Sequence, residues 1–160
     1  MALDGALLGI LFNQGQVCCA GARIFVQDTI YDKFVADLAK LFDKVKVGMP
    51  WDDTTELGAQ IYEEQVKKIL DYVEIAKEEG ARIAAGGVRI VDGEFAKGCF
   101  VRPTLIVDAT NDMRVAREEI FGPVAVVIKF HSEEEVIKMA NDSIYGLGGG
   151  VWTRDINRAV

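Results

Sequence analysis

Apolar side chains recur every three or four residues in two long stretches of the sequence, and this spacing predicts two amphipathic helices. The first covers residues 31–45 and ends before Gly48 and Pro50. The second covers residues 61–79 and ends at Gly80, a residue type that readily adopts the left-handed cap conformation. A shorter apolar helix, residues 3–11, is expected to stop at Asn13.

Strand-like runs separate these helices, at residues 22–27, 82–85, 100–107, 124–130 and 145–150. Pro103 has no N–H to donate, so we expect its strand to lie at a sheet edge or to be interrupted there. The nearly continuous β-branched run at 124–130 is typical of a strand buried on both faces and predicts the central strand. Glycine-containing pairs around residues 88–91 predict an exposed hairpin or turn.

The order of these elements predicts an α/β fold. Ser132 and Glu135 form a capping-box pattern at the start of a further helix. Strands separated by helices of this length favour right-handed crossovers, and hence a three-layer αβα domain with a mostly parallel sheet. With 160 residues and 50% hydrophobic content, the chain is long enough for one domain, residues 1–160, with a real core.

Charge and hydropathy narrow the class of partner. The net charge of −7, without clustered lysine or arginine, argues against a nucleic-acid or anionic-membrane surface. No apolar run approaches the roughly 20 residues of a membrane span, and no basic leader is visible, so we expect a soluble, cytoplasmic protein. A small molecule or another protein is the expected partner.

Two of the three cysteines, Cys18 and Cys19, lie at the end of a polar turn between a helix and a strand. Such a position suits a reactive thiol, although a free cysteine is as often a small core residue. An odd number of cysteines is not a disulfide framework, and a single histidine without a C-x-x-C pair argues against zinc. A Cys-His hydrolase would need His131, which lies far along the chain.

The segment FNQGQVCCAGARIFV resembles the nucleophile segment of the NAD(P)-dependent aldehyde dehydrogenases, which have an N-Q-G-Q-x-C core. The resemblance implies that Cys18, the first cysteine after G-Q-x, is the nucleophile and that Cys19 is only its neighbour. The backbone N–H of Cys18 is then a natural donor to the developing oxyanion.

A second segment, EEIFGPV, resembles another specific signature of the same family, in the order and spacing that the family uses. From the residues alone it reads as a solvated acidic pair and a Gly-Pro turn. The resemblance implies that Glu119 accepts hydrogen bonds from the ribose hydroxyls on the nicotinamide side of the cofactor, and that Phe121 packs near the nicotinamide.

The resemblance covers essentially the whole chain, through GMPWDDTTELGAQI, GCFVRPTLI and ANDSIYGLGGGVWTRD. The same resemblance implies that Gln65 and Lys68 align with positions that can reach the ribose. Their segment, EEQVKK, is also an ordinary solvated helix face.

The implied activity is NAD- or NADP-dependent oxidation of an aldehyde to a carboxylic acid through a thiohemiacetal and a thioester on the cysteine. A CoA-acylating enzyme and a non-catalytic α/β folding or binding module are the alternatives. The resemblance also implies a homodimeric or homotetrameric full-length parent.

The family's cofactor loop, general-base glutamate, second oxyanion donor and oligomerisation segments have no counterpart in this sequence. We therefore expect a C-terminally incomplete catalytic domain that begins at an introduced Met1. We also expect that these 160 residues alone do not turn over aldehyde.

Overall fold

A four-stranded sheet forms the centre of the computed structural model, which describes residues 1–159. The strands are β1 (Arg23–Gln27), β2 (Arg82–Ala85), β3 (Thr104–Ala109) and β4 (Val124–Phe130), in the spatial order β1-β4-β3-β2. β1, β4 and β3 run parallel, and β2 pairs antiparallel with β3. The predicted α/β domain with a mostly parallel sheet is confirmed.

Helices cover both faces of this sheet. α1 (Ala2–Leu11) and α2 (Asp28–Lys44) pack on one face. α3 (Glu63–Glu78), α4 (Arg114–Arg117) and α5 (Glu133–Asn141) pack on the other. The three layers follow from the sequence pattern, because each helix presents its apolar stripe to the sheet.

β4 is the central strand that its apolar run predicts. Ala125 and Val127 pack into the core under α1 and α2, whereas Val124, Val126 and Ile128 pack into the core under α3. Successive side chains of a strand point to opposite faces, so a strand between two helical layers needs apolar residues at every position.

Most predicted elements are confirmed with small shifts at their ends. α2 begins directly after β1 and ends at Lys44, and α3 is followed by Gly80 with a φ of +94°. The capping box of α5 is present, because the Glu135 N–H donates to Ser132 Oγ at 3.2 Å. Val88 and Val91 are exposed, as predicted, but this segment pairs with a more distant one, through an antiparallel bridge between Arg89 and the buried Val101.

Pro103 interrupts its run as predicted, since β3 begins at Thr104. β3 itself lies inside the sheet, between β4 and β2, and the proline removes no ladder hydrogen bond because it precedes the first paired residue. One expectation needs correction. The predicted strand at 145–150 is wrong, because these residues are exposed and unpaired in the described chain. Four of the six residues are glycines, so the segment offers little side-chain surface to bury.

Candidate active site

The two sequence motifs meet beyond the amino ends of neighbouring parallel strands. Cys18 lies just before β1, and Glu119 lies just before β4. Because β1 and β4 pair side by side, the two segments line opposite sides of one open cavity of about 70 Å³. The nucleophile side contributes Gly15, Val17 and Cys18, and the other side contributes Glu118, Glu119, Phe121 and Gly122.

The backbones of the two motifs are in direct contact at this point. A Cβ atom placed on Gly15 would lie 2.2 Å from the carbonyl oxygen of Gly122 and 2.5 Å from the nitrogen of Pro123. Real Cβ atoms do not approach other atoms so closely, so only glycine fits here. The distance between the two halves of the cavity is therefore set by backbone, not by flexible side chains.

The turn before Cys18 has an unusual backbone. Asn13, Gln14 and Gly15 have φ values of 49°, 59° and 70°, the left-handed region that costs an L-residue other than glycine about 1–2 kcal/mol. Two hydrogen bonds between Asn13 and Gln16 hold the turn, from Gln16 N–H to Asn13 O at 3.0 Å and from Asn13 Nδ2 to Gln16 O at 3.1 Å. Such conformations persist only where the surroundings over-determine them.

The segment before α3 supplies part of that surrounding. Gln60 donates from Nε2 to the Gln14 carbonyl at 3.3 Å, and the Ile61 N–H donates to Gln16 Oε1 at 3.2 Å. The Gln60 side chain is buried, and its Oε1 has no hydrogen-bond partner in residues 1–159. Sequence reasoning did not single out Gln60, because nothing in its local pattern shows that it packs against a distant turn.

Cys18 and Cys19 are the central residues of a β-turn that the bond from Ala20 N–H to Val17 O closes at 3.1 Å. Both thiols are free and exposed, but only Cys18 lines the cavity. Within the described chain the Cys18 backbone N–H donates no hydrogen bond. The turn thus presents a thiol and an unused N–H donor at the same residue.

Cys99 has a different environment. It is half-buried, and its Sγ lies 3.8 Å from Glu63 Oε2. Burial, and after it the negative charge of Glu63, raises the pKa of the Cys99 thiol. Both effects disfavour the thiolate, so Cys99 has the features of an inert cysteine.

The two adjacent glutamates have opposite surroundings. Arg114 donates to both carboxylate oxygens of Glu118 at 2.9 Å, and the Tyr72 hydroxyl donates to Glu118 Oε2 at 2.7 Å. The bonds from Arg114, and after them the bond from Tyr72, lower the pKa of Glu118 to about 2. Burial, together with the contact to Glu118, raises the pKa of Tyr72 to about 12. Glu119 is exposed and accepts no hydrogen bond from any described residue, so its oxygens are free for a ligand.

Phe121 is half-buried at the cavity wall and has a φ of 61°. Gln65, on α3, is buried behind it and donates from Nε2 to the carbonyls of Ile120 at 2.9 Å and Phe121 at 2.7 Å. Lys68 is half-buried, with its ammonium group 6.0 Å from the centre of the Tyr72 ring. Gln65 and Lys68 do not line the cavity in the part of the chain described, whereas Cys18, Glu119 and Phe121 do.

His131 lies at the other end of the sheet. It follows β4 at its carboxyl end, and its Nδ1 is 2.9 Å from Asp28 Oδ2, just after β1. Cys18 precedes β1, so a strand of five residues, roughly 16 Å at 3.3 Å per residue, separates the thiol from the histidine. This geometry rules out a Cys-His catalytic pair between them.

No group of three or more His, Cys, Asp and Glu side chains is placed to hold a metal ion in residues 1–159. The helices of the same residues also include none with the length and hydropathy needed to cross a membrane.

Comparisons with known proteins agree on one family. The family model for the aldehyde dehydrogenase family matches residues 1–160. The NAD+ complex of an aldehyde dehydrogenase from Bacillus cereus superposes with a TM-score of 0.92 at 47% identity, over 98% of this chain and 31% of that one. Betaine aldehyde dehydrogenase from Staphylococcus aureus, also with NAD+, gives a TM-score of 0.96 at 47% identity, over 99% of this chain and 31% of that one.

A point mutant of the same betaine aldehyde dehydrogenase carries a BME-modified cysteine and matches with the same TM-score of 0.96 and 47% identity, over 99% of this chain and 32% of that one. The chain therefore spans about a third of the length of the solved structures that it matches.

Proposed function

Because the chain belongs to the aldehyde dehydrogenase family, we propose that it is the nucleophile-bearing part of the catalytic domain of an NAD(P)-dependent aldehyde dehydrogenase that oxidises an aldehyde to a carboxylic acid. The observation that carries the proposal is the meeting of Cys18, Glu119 and Phe121 around one cavity. The backbone contact between Gly15 and Gly122 holds the two sides together.

Cys18 is the nucleophile of this reaction. Its thiolate forms a C–S bond to the aldehyde carbon, and the carbonyl electron pair moves to the oxygen, which gives a thiohemiacetal. The donor to that oxygen in the proposed step is the Cys18 N–H, which has no other acceptor among the described residues. After oxidation the acyl group is held on Cys18 as a thioester, which water cleaves to the carboxylic acid and the free thiol.

The residues of the cavity fit a nicotinamide cofactor, which when bound supplies the hydride acceptor. Glu119 offers two free carboxylate oxygens, the acceptors that a ribose diol needs, and Phe121 offers an apolar ring beside them. Glu118 is less suited to this role, because Arg114 and Tyr72 already donate three hydrogen bonds to its oxygens. Lys68, which forms no ion pair within the described chain, is a further proposed ribose contact.

The cytoplasmic location and the homodimeric or homotetrameric state of the full-length parent stay predictions, as does the use of NAD or NADP as the cofactor. NAD is favoured, because two of the similar enzymes were solved with NAD+. The hydrolytic release is favoured over CoA acylation by the overall resemblance. A non-catalytic module is the second candidate and applies to the isolated chain.

Replacing Cys18 with alanine in the full-length enzyme tests the proposal. We expect Cys18→Ala to abolish aldehyde-dependent NADH formation, because no other thiol lines the cavity in the described residues. Cys19→Ala is the matched control, since it removes the neighbouring exposed thiol and should keep most of the activity. Mass spectrometry of the protein quenched during turnover should find the acyl adduct on the peptide with Cys18. Retained activity in Cys18→Ala would disprove the assignment.

A further inference from the structure

One face of α3 holds the segment Glu118–Gly122 at three successive points. Gln65, Ile69 and Tyr72 follow one another at helical spacings of four and three, so they lie on the same side of the helix. We infer that this face is the template that fixes the cofactor-binding segment, and that Gln65 and Tyr72 act on the cofactor site as positioning residues. This inference rests on the proposed function, because the segment carries Glu119 and Phe121.

Gln65 makes the innermost contact. Its amide nitrogen has two hydrogens, and both are used on the carbonyls of Ile120 and Phe121. These bonds join the two peptide units at which the chain takes the left-handed φ of Phe121. Without a donor in this place, two inward-facing carbonyls would lose their partners, and the strained backbone would lose its support.

Ile69 makes the middle contact, through packing alone. A Cβ placed on Gly122 would lie 2.4 Å from Ile69 Cδ1 and 2.7 Å from Cγ1, and the Ile69 side chain is fully buried. The helix surface thus reaches the backbone of Gly122 directly. On its other side Gly122 meets Gly15, so α3 also sets the position of the segment relative to the nucleophile turn.

Tyr72 makes the outer contact, through its hydroxyl to Glu118 Oε2 at 2.7 Å. Arg114 completes the restraint on the same carboxylate. Glu118 has extended backbone angles, φ −107° and ψ 146°, and successive side chains of extended backbone project to opposite sides. Fixing Glu118 against α3 therefore directs Glu119 away from the helix, where its carboxylate stays free.

Substitutions distinguish a positioning residue from a residue that only touches the cofactor. Substituting a residue that only touches the cofactor weakens cofactor binding and leaves the cofactor-free protein unchanged. Substituting a positioning residue loosens the segment already in the cofactor-free protein, and it has no further effect on binding in a variant that lacks the group it holds.

Tyr72→Phe in the full-length enzyme is the sharpest test, because it removes one hydroxyl and nothing else. We expect a roughly tenfold higher KM for NAD+ with a smaller change in kcat, the usual scale for one hydrogen bond to a charged group. Amide hydrogen exchange of residues 118–122 in the cofactor-free protein should become faster. Glu118→Gln should raise KM and speed exchange in the same way. The double variant of Tyr72→Phe and Glu118→Gln should have a KM no higher than that of either single variant. Tyr62→Phe is the matched control, since Tyr62 lies exposed at the start of the same helix.

Gln65→Leu is the second test. We expect it to speed amide hydrogen exchange of residues 118–122 in the cofactor-free enzyme. The template is overturned if Tyr72→Phe leaves both KM and exchange at the wild-type values. It is also overturned if Gln65→Leu raises KM while cofactor-free exchange is unchanged, which would make Gln65 a direct cofactor contact. A wild-type enzyme with no NAD+-dependent oxidation would instead refute the proposed function, and the exchange measurements would still decide the template.

Discussion

Gly15 and Gly122 meet backbone to backbone, and this contact joins the nucleophile turn to the segment before β4. Gly15 meets the two conditions that favour glycine, a φ of +70° and a neighbouring carbonyl that leaves no room for a Cβ. The contact explains how two motifs a hundred residues apart in the sequence form one cavity without any side-chain bond between them.

Gly15→Ala should therefore lower the free energy of unfolding by more than the strain of a left-handed φ alone would. We expect a loss of about 3 kcal/mol or more in the free energy of unfolding, from backbone strain together with the clash against Gly122. Gly80→Ala is the control, because Gly80 has a φ of +94° but no neighbouring atom within 4 Å of its Cβ position, so about 1 kcal/mol is expected. Urea unfolding followed by circular dichroism measures both. Equal losses would contradict the close contact.

The three thiols should differ in their rates of alkylation. Cys18 and Cys19 are exposed, whereas Cys99 is half-buried and has a raised pKa because of burial and Glu63. At neutral pH we expect iodoacetamide to modify Cys99 last, as read by mass spectrometry of the peptides. Glu63→Gln should speed the reaction of Cys99, because it removes a negative charge and leaves Arg89 to favour the thiolate, while Cys18 should be unaffected. An unchanged rate at Cys99 would show that Glu63 does not control it.

The hydrogen bonds of ionised Glu118 should stabilise the folded protein at neutral pH, and this stabilisation should be lost in acid. Its pKa falls from 4.5 to about 2 in the folded chain, so its stabilising contribution is fully present above pH 4.5 and is lost as the pH falls toward 2. We expect Glu118→Gln to cost no more than about 1 kcal/mol at pH 7, because the group is solvent-accessible, and to cost nothing near pH 2. Glu119→Gln, which removes no hydrogen bond or ion pair to the described residues, should leave the unfolding curve unchanged at both pH values. A cost for Glu118→Gln that persists at pH 2 would exclude the charge as its cause.

Gln60 and Gln65 offer a direct comparison of two buried amides. Gln65 donates two short hydrogen bonds, whereas Gln60 donates one long hydrogen bond and its Oε1 has no partner among residues 1–159. We expect Gln65→Met to lower the free energy of unfolding by about 2 kcal/mol, since two inward-facing carbonyls lose their donor. Gln60→Met should be within about 1 kcal/mol of wild type, because it also removes an unpaired buried acceptor. A larger loss at Gln60 would reveal a partner for its Oε1, such as a buried water.

Local sequence patterns were sufficient where an element depends on its neighbours in the chain, as the run at β4 predicted the central strand. Cys18, Glu119 and Phe121 were singled out by the resemblance to the family, and the fold brings all three to one cavity. The pairing of Arg114 with Glu118 is also a local i, i+4 relation that the sequence contains.

Roles that depend on distant contacts could not be predicted in this way. Tyr72 lies 46 residues from the carboxylate that it holds, and Gln60 lies 46 residues from the turn that it supports. The antiparallel direction of β2 is likewise set by its pairing with β3. Residues 145–150 read as a strand in the sequence, but no partner strand pairs with them in the described chain.

The 160-residue chain by itself should form no NADH from aldehyde and NAD+ at an enzyme-like rate. The carboxylates that line its described cavity are Glu118, which Arg114 and Tyr72 hold, and Glu119, which the proposal assigns to the ribose. No lining group among the described residues is left to activate the water that would cleave the thioester, and the proposed step has the Cys18 N–H as one oxyanion donor where the resemblance implies two. A steady-state assay of the purified chain, with the full-length enzyme as the positive control, measures this. Turnover that Cys18→Ala abolishes would show that the chain contains a complete catalytic apparatus.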